Sequence, residues 1–228
     1  MGSNRPAASG RVSRVVSLLV ALSLASCAGR PPVLVPPPSG VEAVEGFAAA
    51  SVAGAEASIK GKFAFLFRRP GLGRVEAVDP IGRTAFLIYF REGRAWFVLP
   101  SKKAYAEDDA ETMMRRFLGI SLRPDDTLAL LSGIWPEDGE EGGWSIARDG
   151  QGRAAGGERG EFAFAVREFF RGGAVPREIA VSGAGTTGRV KVLKAAFNPV
   201  PREAAFDTGF LSRFAAKTWD EIMELIER

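Results

Sequence analysis

The one thiol in the chain, Cys27, closes the run Leu24-Ala25-Ser26-Cys27 directly after a short apolar stretch. A thiol in that setting is suited to one chemistry, the covalent attachment of lipid. Small residues at Ala25 and Ser26 admit a signal peptidase close to the backbone, and the cysteine left as the new N-terminus is the lipidation site of a lipobox. Upstream, Arg5, Arg11 and Arg14 supply positive charge and Val15 to Leu24 an apolar region. About ten residues fall well short of the roughly 20 that a membrane-spanning helix needs. Residues 1–26 are therefore read as a lipoprotein signal peptide, with Cys27 as the lipidated residue.

Other reactive combinations are sparse. Histidine is absent and Cys27 is the only cysteine, which removes the commonest general base and the usual metal ligands and leaves no disulfide framework. Neither G-x-S-x-G nor S-x-x-K is present, so nucleophilic catalysis has no visible machinery. The acid pairs Asp108/Asp109 and Asp125/Asp126 each stand where a helix begins, and there a carboxylate caps free N–H groups and meets the positive end of the dipole. Gly183-Ala184-Gly185-Thr186-Thr187-Gly188 spells a dinucleotide fingerprint, but the alternating Arg189–Lys194 that follows reads as a strand, and the fingerprint requires a helix. The expectation is a non-enzyme with no cofactor and no metal. Three of the 30 basic residues precede Cys27, leaving 27 against 27 acidic ones. A neutral mature chain argues against a nucleic-acid partner, which needs a concentrated basic surface.

Elements must position whatever remains. Residues 27–40 form a lipidated, Pro-rich tether, extended at about 3.1 Å per residue, and 41–228 are read as one domain. Val41 to about Glu45 is expected as a short helix and Phe47–Ala53 as a strand. In Ile59–Arg68 the period becomes two: Ile59, Phe63, Phe65 and Phe67 share one face, Lys60, Lys62 and Arg68 the other. Arg74–Val78, Thr84–Phe90 and Ala95–Leu99 continue an antiparallel meander. A helix then follows, capped at Asp108 with Glu111 and stopped at Gly119, with Ala110, Met113, Met114, Phe117 and Leu118 on one side. A second runs from Pro124 to Gly133 and offers Leu128, Leu130 and Leu131. Strands resume at Trp144–Arg148, Glu161–Phe169, Glu178–Ser182 and Arg189–Phe197, with 150–160 expected as a hairpin loop. An amphipathic helix from Thr218, boxed by Glu221, ends the chain.

Phe86, Ile88 and Phe90 oppose Leu87 and Tyr89, so both faces of that strand are apolar, as they are at Trp96–Leu99. Two accounts fit: a filled β core, or a concave apolar cavity covered by the methionine-bearing helix, whose thioethers adapt to irregular ligands such as acyl chains. Asp79-Pro80-Ile81-Gly82 has the residues of a type I turn and leaves Ile81 at its tip, where an apolar side chain is suited to a membrane or partner contact.

From about Phe47 to Val200 these features resemble, in order, the LolB-like outer-membrane lipoproteins of the LolA/LolB superfamily of lipoprotein localization factors. They are Gly61-Lys62-Phe63, Arg74 leading to Pro80-Ile81-Gly82, the strand pair Thr84–Leu99, Asp108-Asp109-Ala110-Glu111, Phe117-Leu118-Gly119-Ile120, Leu128–Gly133 with Trp135-Pro136, and Arg189–Phe197. The resemblance implies an α+β fold in which a curved antiparallel sheet forms an incomplete β-barrel closed by helices. It implies a monomer on the periplasmic face of the outer membrane that accepts lipoprotein acyl chains from a LolA-type carrier. It makes Pro80, Ile81 and Gly82 the membrane-insertion loop, with Ile81 where Leu is typical. Cavity and lid candidates are Phe63, Phe65, Phe67, Phe86, Ile88, Phe97, Met113, Met114, Phe117, Leu118, Leu128 and Leu131. Ala28, rather than Asp, after the cysteine agrees with outer-membrane sorting. The C-terminal helix departs from the family pattern, and an envelope-assembly or scaffold lipoprotein of the same fold without transfer activity is the alternative.

Overall fold

A computed structural model describes residues 33–37, 40–53, 58–79, 81–119, 121–135, 142–183 and 185–227. Cys27, Pro80, Ile120 and Pro136 lie outside the described residues, as do the side chains of Ile59 and Leu118. The strands are β1 (Ala43–Ala53), β2 (Ser58–Arg68), β3 (Leu72–Val78), β4 (Thr84–Arg91), β5 (Arg94–Leu99), β6 (Ala104–Asp109), β7 (Ser145–Arg148), β8 (Ala154–Arg159), β9 (Phe162–Phe169), β10 (Pro176–Gly183), β11 (Thr186–Phe197) and β12 (Ala215–Ala216). The helices are α1 (Ala110–Leu118), α2 (Pro124–Ser132) and α3 (Trp219–Glu227).

All twelve strands join one sheet, ordered β12-β6-β5-β4-β3-β2-β1-β11-β10-β9-β8-β7, whose outer strands do not meet. It is an incomplete barrel made of two antiparallel meanders, β1–β6 and β7–β11, zipped together where β1 pairs with β11. Only β12 is parallel to its neighbour, β6. Register carries the sequence alternation across the sheet. Phe65 stands opposite Val75, Val75 opposite Ile88, Ile88 opposite Phe97 and Phe97 opposite Ala106, so one apolar row crosses five strands on the inner face. The helices cover that face and complete the main core with Met113, Met114, Leu128, Leu131 and Ile222. Two glycines let large rings lie across the strands. A Cβ on Gly73 would stand 2.8 Å from the Phe67 ring and 2.9 Å from that of Phe90, and one on Gly46 would collide with the Lys194 carbonyl and the Phe65 ring. The convex face holds a smaller cluster: Leu87, Tyr89, Val98 and Leu211, flanked by Trp96, Tyr105, Phe210 and Phe214. It explains why both faces of β4 and β5 read as apolar.

Five local expectations are corrected. Residues from Ala43 onward are strand, not helix, because β1 is hydrogen-bonded on both sides, and two ladders outweigh the helix preference of an Ala/Glu-rich segment. Residues 104–109 form β6, missed because Ala, Glu and Asp are weak strand formers. The α1 cap is therefore Asp109, one residue later than expected, its carboxylate accepting the Thr112 N–H at 2.8 Å. Residues 154–159, expected within a loop, form β8, where Gly157 gives room to Phe164 and Ile146. Val33 and Leu34 of the expected tether run beside Arg171, with the Leu34 N–H donating to its carbonyl at 3.3 Å.

The candidate cavity and its rim

The inner face is packed along most of its length and opens beside Phe86 and Phe97. Phe86 of β4 and Phe97 of β5 stack with ring centroids 5.0 Å apart. Phe117, in the last turn of α1, meets Phe86 edge-on at 5.1 Å, and Trp219, the first residue of α3, meets Phe97 edge-on at 5.3 Å. Between these rings and Leu99, Met223, Leu225 and Ile226 lies a cavity of about 790 Å³, within the range of roughly 300–1,000 Å³ usual for ligand pockets. Its polar rim is Asp79, Arg83, Thr84, Ser101, Lys102 and Arg116.

Alpha-3 reaches this position through a short strap. β12 pairs with β6, and the Lys217 N–H donates to the Tyr105 carbonyl at 2.8 Å. The expected capping box closes the helix start: Glu221 accepts the Thr218 N–H at 2.8 Å, and the Thr218 hydroxyl accepts the Glu221 N–H at 3.3 Å. A hydrogen bond from Lys217, then the backbone N–H of Thr218, lower the Glu221 carboxyl to about 2. Ile222 is fully buried and fixes the helix to the sheet, whereas Ile226 is 48% exposed. The Arg116 guanidinium lies 5.6 Å from the Trp219 ring centre and bridges to Asp108 at 3.1 Å.

Beside the mouth, the 79–83 turn is held by one carboxylate. Asp79 accepts the backbone N–H of Ile81 at 3.0 Å and of Arg83 at 2.8 Å, as well as the Arg83 Nε–H at 2.8 Å. These bonds, the Arg83 backbone first, hold its carboxyl below the ordinary range. Gly82, at φ +84°, closes the turn with its N–H on the Asp79 carbonyl. Ile81 is thereby presented 74% exposed.

Of the sequence candidates, Phe86, Phe97 and Phe117 line the cavity. Phe65, Phe67, Ile88, Met113, Met114, Leu128 and Leu131 are buried in the packed core, with Phe63 half-buried against it. Trp219, Met223, Leu225 and Ile226 were not among those candidates. Their amphipathic spacing was legible, but the face they cover depends on β12 crossing to β6, a long-range pairing with no local signal.

The paired acids have structural partners. Asp126 is buried, accepts the Trp144 Nε1–H at 3.1 Å and bridges Arg159 at 2.8 Å and Arg123 at 3.0 Å. Burial, the largest single influence, works to raise its pKa. The hydrogen bond from Arg123 and the charges of Arg159 and Arg123 together outweigh it and hold the carboxyl below 3.8. Asp125 accepts the Gly71 N–H at 2.9 Å. Gly183 ends β10 and Thr186 begins β11, so a strand and not a helix follows the glycine run. A second cavity, about 710 Å³, lies on the convex face and includes Glu45, Arg74, Glu76, Lys194 and Arg202; its ion pairs Arg74–Glu76 and Arg202–Glu45 make it a poor home for a hydrocarbon chain. Among the described residues, no group of His, Cys, Asp and Glu could hold a metal, and no helix is long and apolar enough to cross a membrane.

No family model matches the chain, and no curated protein matches it in sequence. Solved structures do. One is a domain named for outer membrane lipoprotein sorting, from Vibrio parahaemolyticus, with TM-score 0.53 and 13% identity over 76% of this chain and 93% of that one. Another is a DUF1329 family protein from Desulfovibrio piger, with TM-score 0.50 and 11% identity over 88% and 98%. A LolA superfamily protein from Nitrosomonas europaea superposes at TM-score 0.44, with 13% identity over 77% and 94%. At these identities the likeness is one of fold alone, an incomplete β-barrel closed by helices.

Proposed function

We propose that this chain is a lipoprotein, acylated at Cys27 and held on the periplasmic face of the outer membrane, whose inner cavity takes the acyl chains of other lipoproteins. On this reading it receives them from a LolA-type carrier and delivers them to the membrane by binding and release, without covalent chemistry. Residues 1–26 are its signal peptide, 27–40 its anchor and tether, and 41–228 its binding domain. The observation that carries the reading is the aromatic and aliphatic cavity of about 790 Å³ beside an exposed Ile81. Each CH₂ taken from water contributes about 0.8 kcal/mol, so a chain held there competes with the bilayer on similar terms. The Pro80-Ile81-Gly82 turn is the element that touches the bilayer at handover.

The test separates binding from delivery. Met223→Arg, placing a charge in the cavity, is expected to abolish uptake of a fluorescent fatty acid. Ile81→Glu is expected to preserve that uptake while stopping lipoprotein transfer from a LolA-type carrier. Full transfer by Ile81→Glu removes the insertion role, and undiminished uptake by Met223→Arg removes the cavity. The packing of α3 against the cavity favours a second reading, a scaffold lipoprotein of the same fold; it predicts fatty-acid uptake in the unaltered chain but no transfer.

A further inference from the structure

The register of the strands brings the β3–β4 turn bearing Ile81, the start of β2 and the β5–β6 connection to one end of the sheet. Lys62 stands opposite Val78, one residue before the turn, and Lys60 lies two residues further toward that end. Lys102 and Lys103 occupy the β5–β6 connection, and Lys102 shares the cavity rim with Arg83. All five cations are exposed. Arg83 bridges Asp79, but none of the four lysines meets a carboxylate among the described residues. The other end of the same strands is different. There Arg68 bridges Glu203, Arg91 bridges Glu92, and Arg94 bridges Glu107. Those three arginines are therefore neutralised locally, whereas among the described residues the four lysines around the exposed apolar tip meet no carboxylate.

We propose that the Ile81 end is a docking surface for an anionic phospholipid bilayer, with Ile81 entering below the headgroups while Lys60, Lys62, Lys102 and Lys103 meet the lipid phosphates. An apolar tip ringed by exposed ammonium groups that meet no carboxylate among the described residues fits that partner. The lysine stems reach past the tip while their charged ends stay hydrated, and each cation near an anionic surface adds attraction that acts over about a Debye length. A single isoleucine buries too little area to hold a membrane alone, so the charges supply both affinity and orientation and bring the cavity mouth to the lipid. The docking rests on the proposed function for its purpose but not for its measurement.

The experiment uses the full chain carrying Cys27→Ala, so that no attached lipid contributes, and measures co-sedimentation with phosphatidylcholine vesicles with and without phosphatidylglycerol. Arg5, Arg11 and Arg14 also favour phosphatidylglycerol but are the same in every variant; the change in that preference between variants is the readout. Replacing Lys60, Lys62 and Lys102 by Gln is expected to reduce that preference about fivefold per lysine, and added salt is expected to reduce it likewise. Lys103 is kept because its φ of +47° constrains replacement. Arg91→Gln, Arg94→Gln and Arg171→Gln together remove the same charge elsewhere and are expected to leave the preference unchanged. Absence of a phosphatidylglycerol preference, its survival in the lysine variant, or an equal loss in the arginine variant overturns the proposal. Fatty-acid uptake is measured on the same samples. Its failure with the preference intact sinks the cavity reading alone, and the reverse sinks the docking alone.

Discussion

Trp135, Trp144, Phe162 and Phe164 at one side of the inner face, and Phe86, Phe97, Phe117 and Trp219 at the other, are two clusters built from the same kinds of ring. The first is sealed. Trp135 stacks on Phe164 at 5.4 Å, Trp144 meets Phe162 edge-on at 5.5 Å, and the Trp144 indole is tied to Asp126, itself held by Arg123 and Arg159. The second borders the cavity and is closed only by the last turn of α1 and by α3, which hangs from a two-residue strand. The difference teaches that aromatic content does not decide whether a face is core or site. What decides is whether the covering element is cross-linked by a satisfied buried polar network or merely laid in place.

The most disruptive way to test that contrast is Asp126→Ala. It strips Arg159 of its carboxylate and leaves the Trp144 N–H without an acceptor, and breaking a buried pair from one side costs about 3–5 kcal/mol. Chemical denaturation is expected to show a loss of that size, a large part of the ~5–15 kcal/mol that holds a typical domain. The acid branch gives the same information without mutation. Asp126 has a folded-state pKa below its unfolded one, so its contribution is complete above about 4 and is lost as pH falls through the lower, folded value. The variant is expected to show a flatter stability profile below pH ~4 than the unaltered chain. Parallel profiles would detach Asp126 from the seal.

Next in size is a matched pair of truncations. Phe164→Ala, in the sealed cluster, is expected to cost about 3–5 kcal/mol. Phe117→Ala, half-buried at the cavity edge, is expected to cost about 1–2 kcal/mol, because much of that ring's surface is not withdrawn from water. Equal losses would mean that the two clusters are packed alike and that the cavity is closed in solution.

The same contrast marks how much could be read before any coordinates. Alternation in Phe63–Phe67, Phe86–Phe90 and Trp96–Leu99 placed the curved sheet, and the turn residues around Ile81 placed its exposed tip, because both are signals of period two or four that a few neighbours determine. Beta-6 and β8 escaped notice because Ala104–Asp109 and Ala154–Arg159 owe their extended form to partners across the sheet. The candidate cavity was legible in its strand-borne half, Phe86 and Phe97, and in Phe117. Its α3 half was not, since the helix was visible but the strand order that carries it over Phe97 was not. Met113 and Met114 had the right chemistry for a lid and sit fully in the core.

The smallest expected effect lies in the helix cap that separates cover from core. Glu221 joins Lys217 and both polar groups of Thr218, all at the surface. Glu221→Gln keeps the shape of the box but loses the ion pair and the favourable charge at the helix start. Global stability is expected to stay within error, while amide exchange in α3 quickens and exchange in the Trp135–Phe164 cluster does not. Because the folded carboxyl sits near 2 rather than 4.5, the cap is intact above the ordinary carboxylate range and fails as pH falls toward 2. Acid is therefore expected to loosen α3 in the unaltered chain and to do so less in the Gln variant. If α3 and the sealed cluster exchange together in both proteins, α3 unfolds only with the whole domain and is part of the core, not a cover over it.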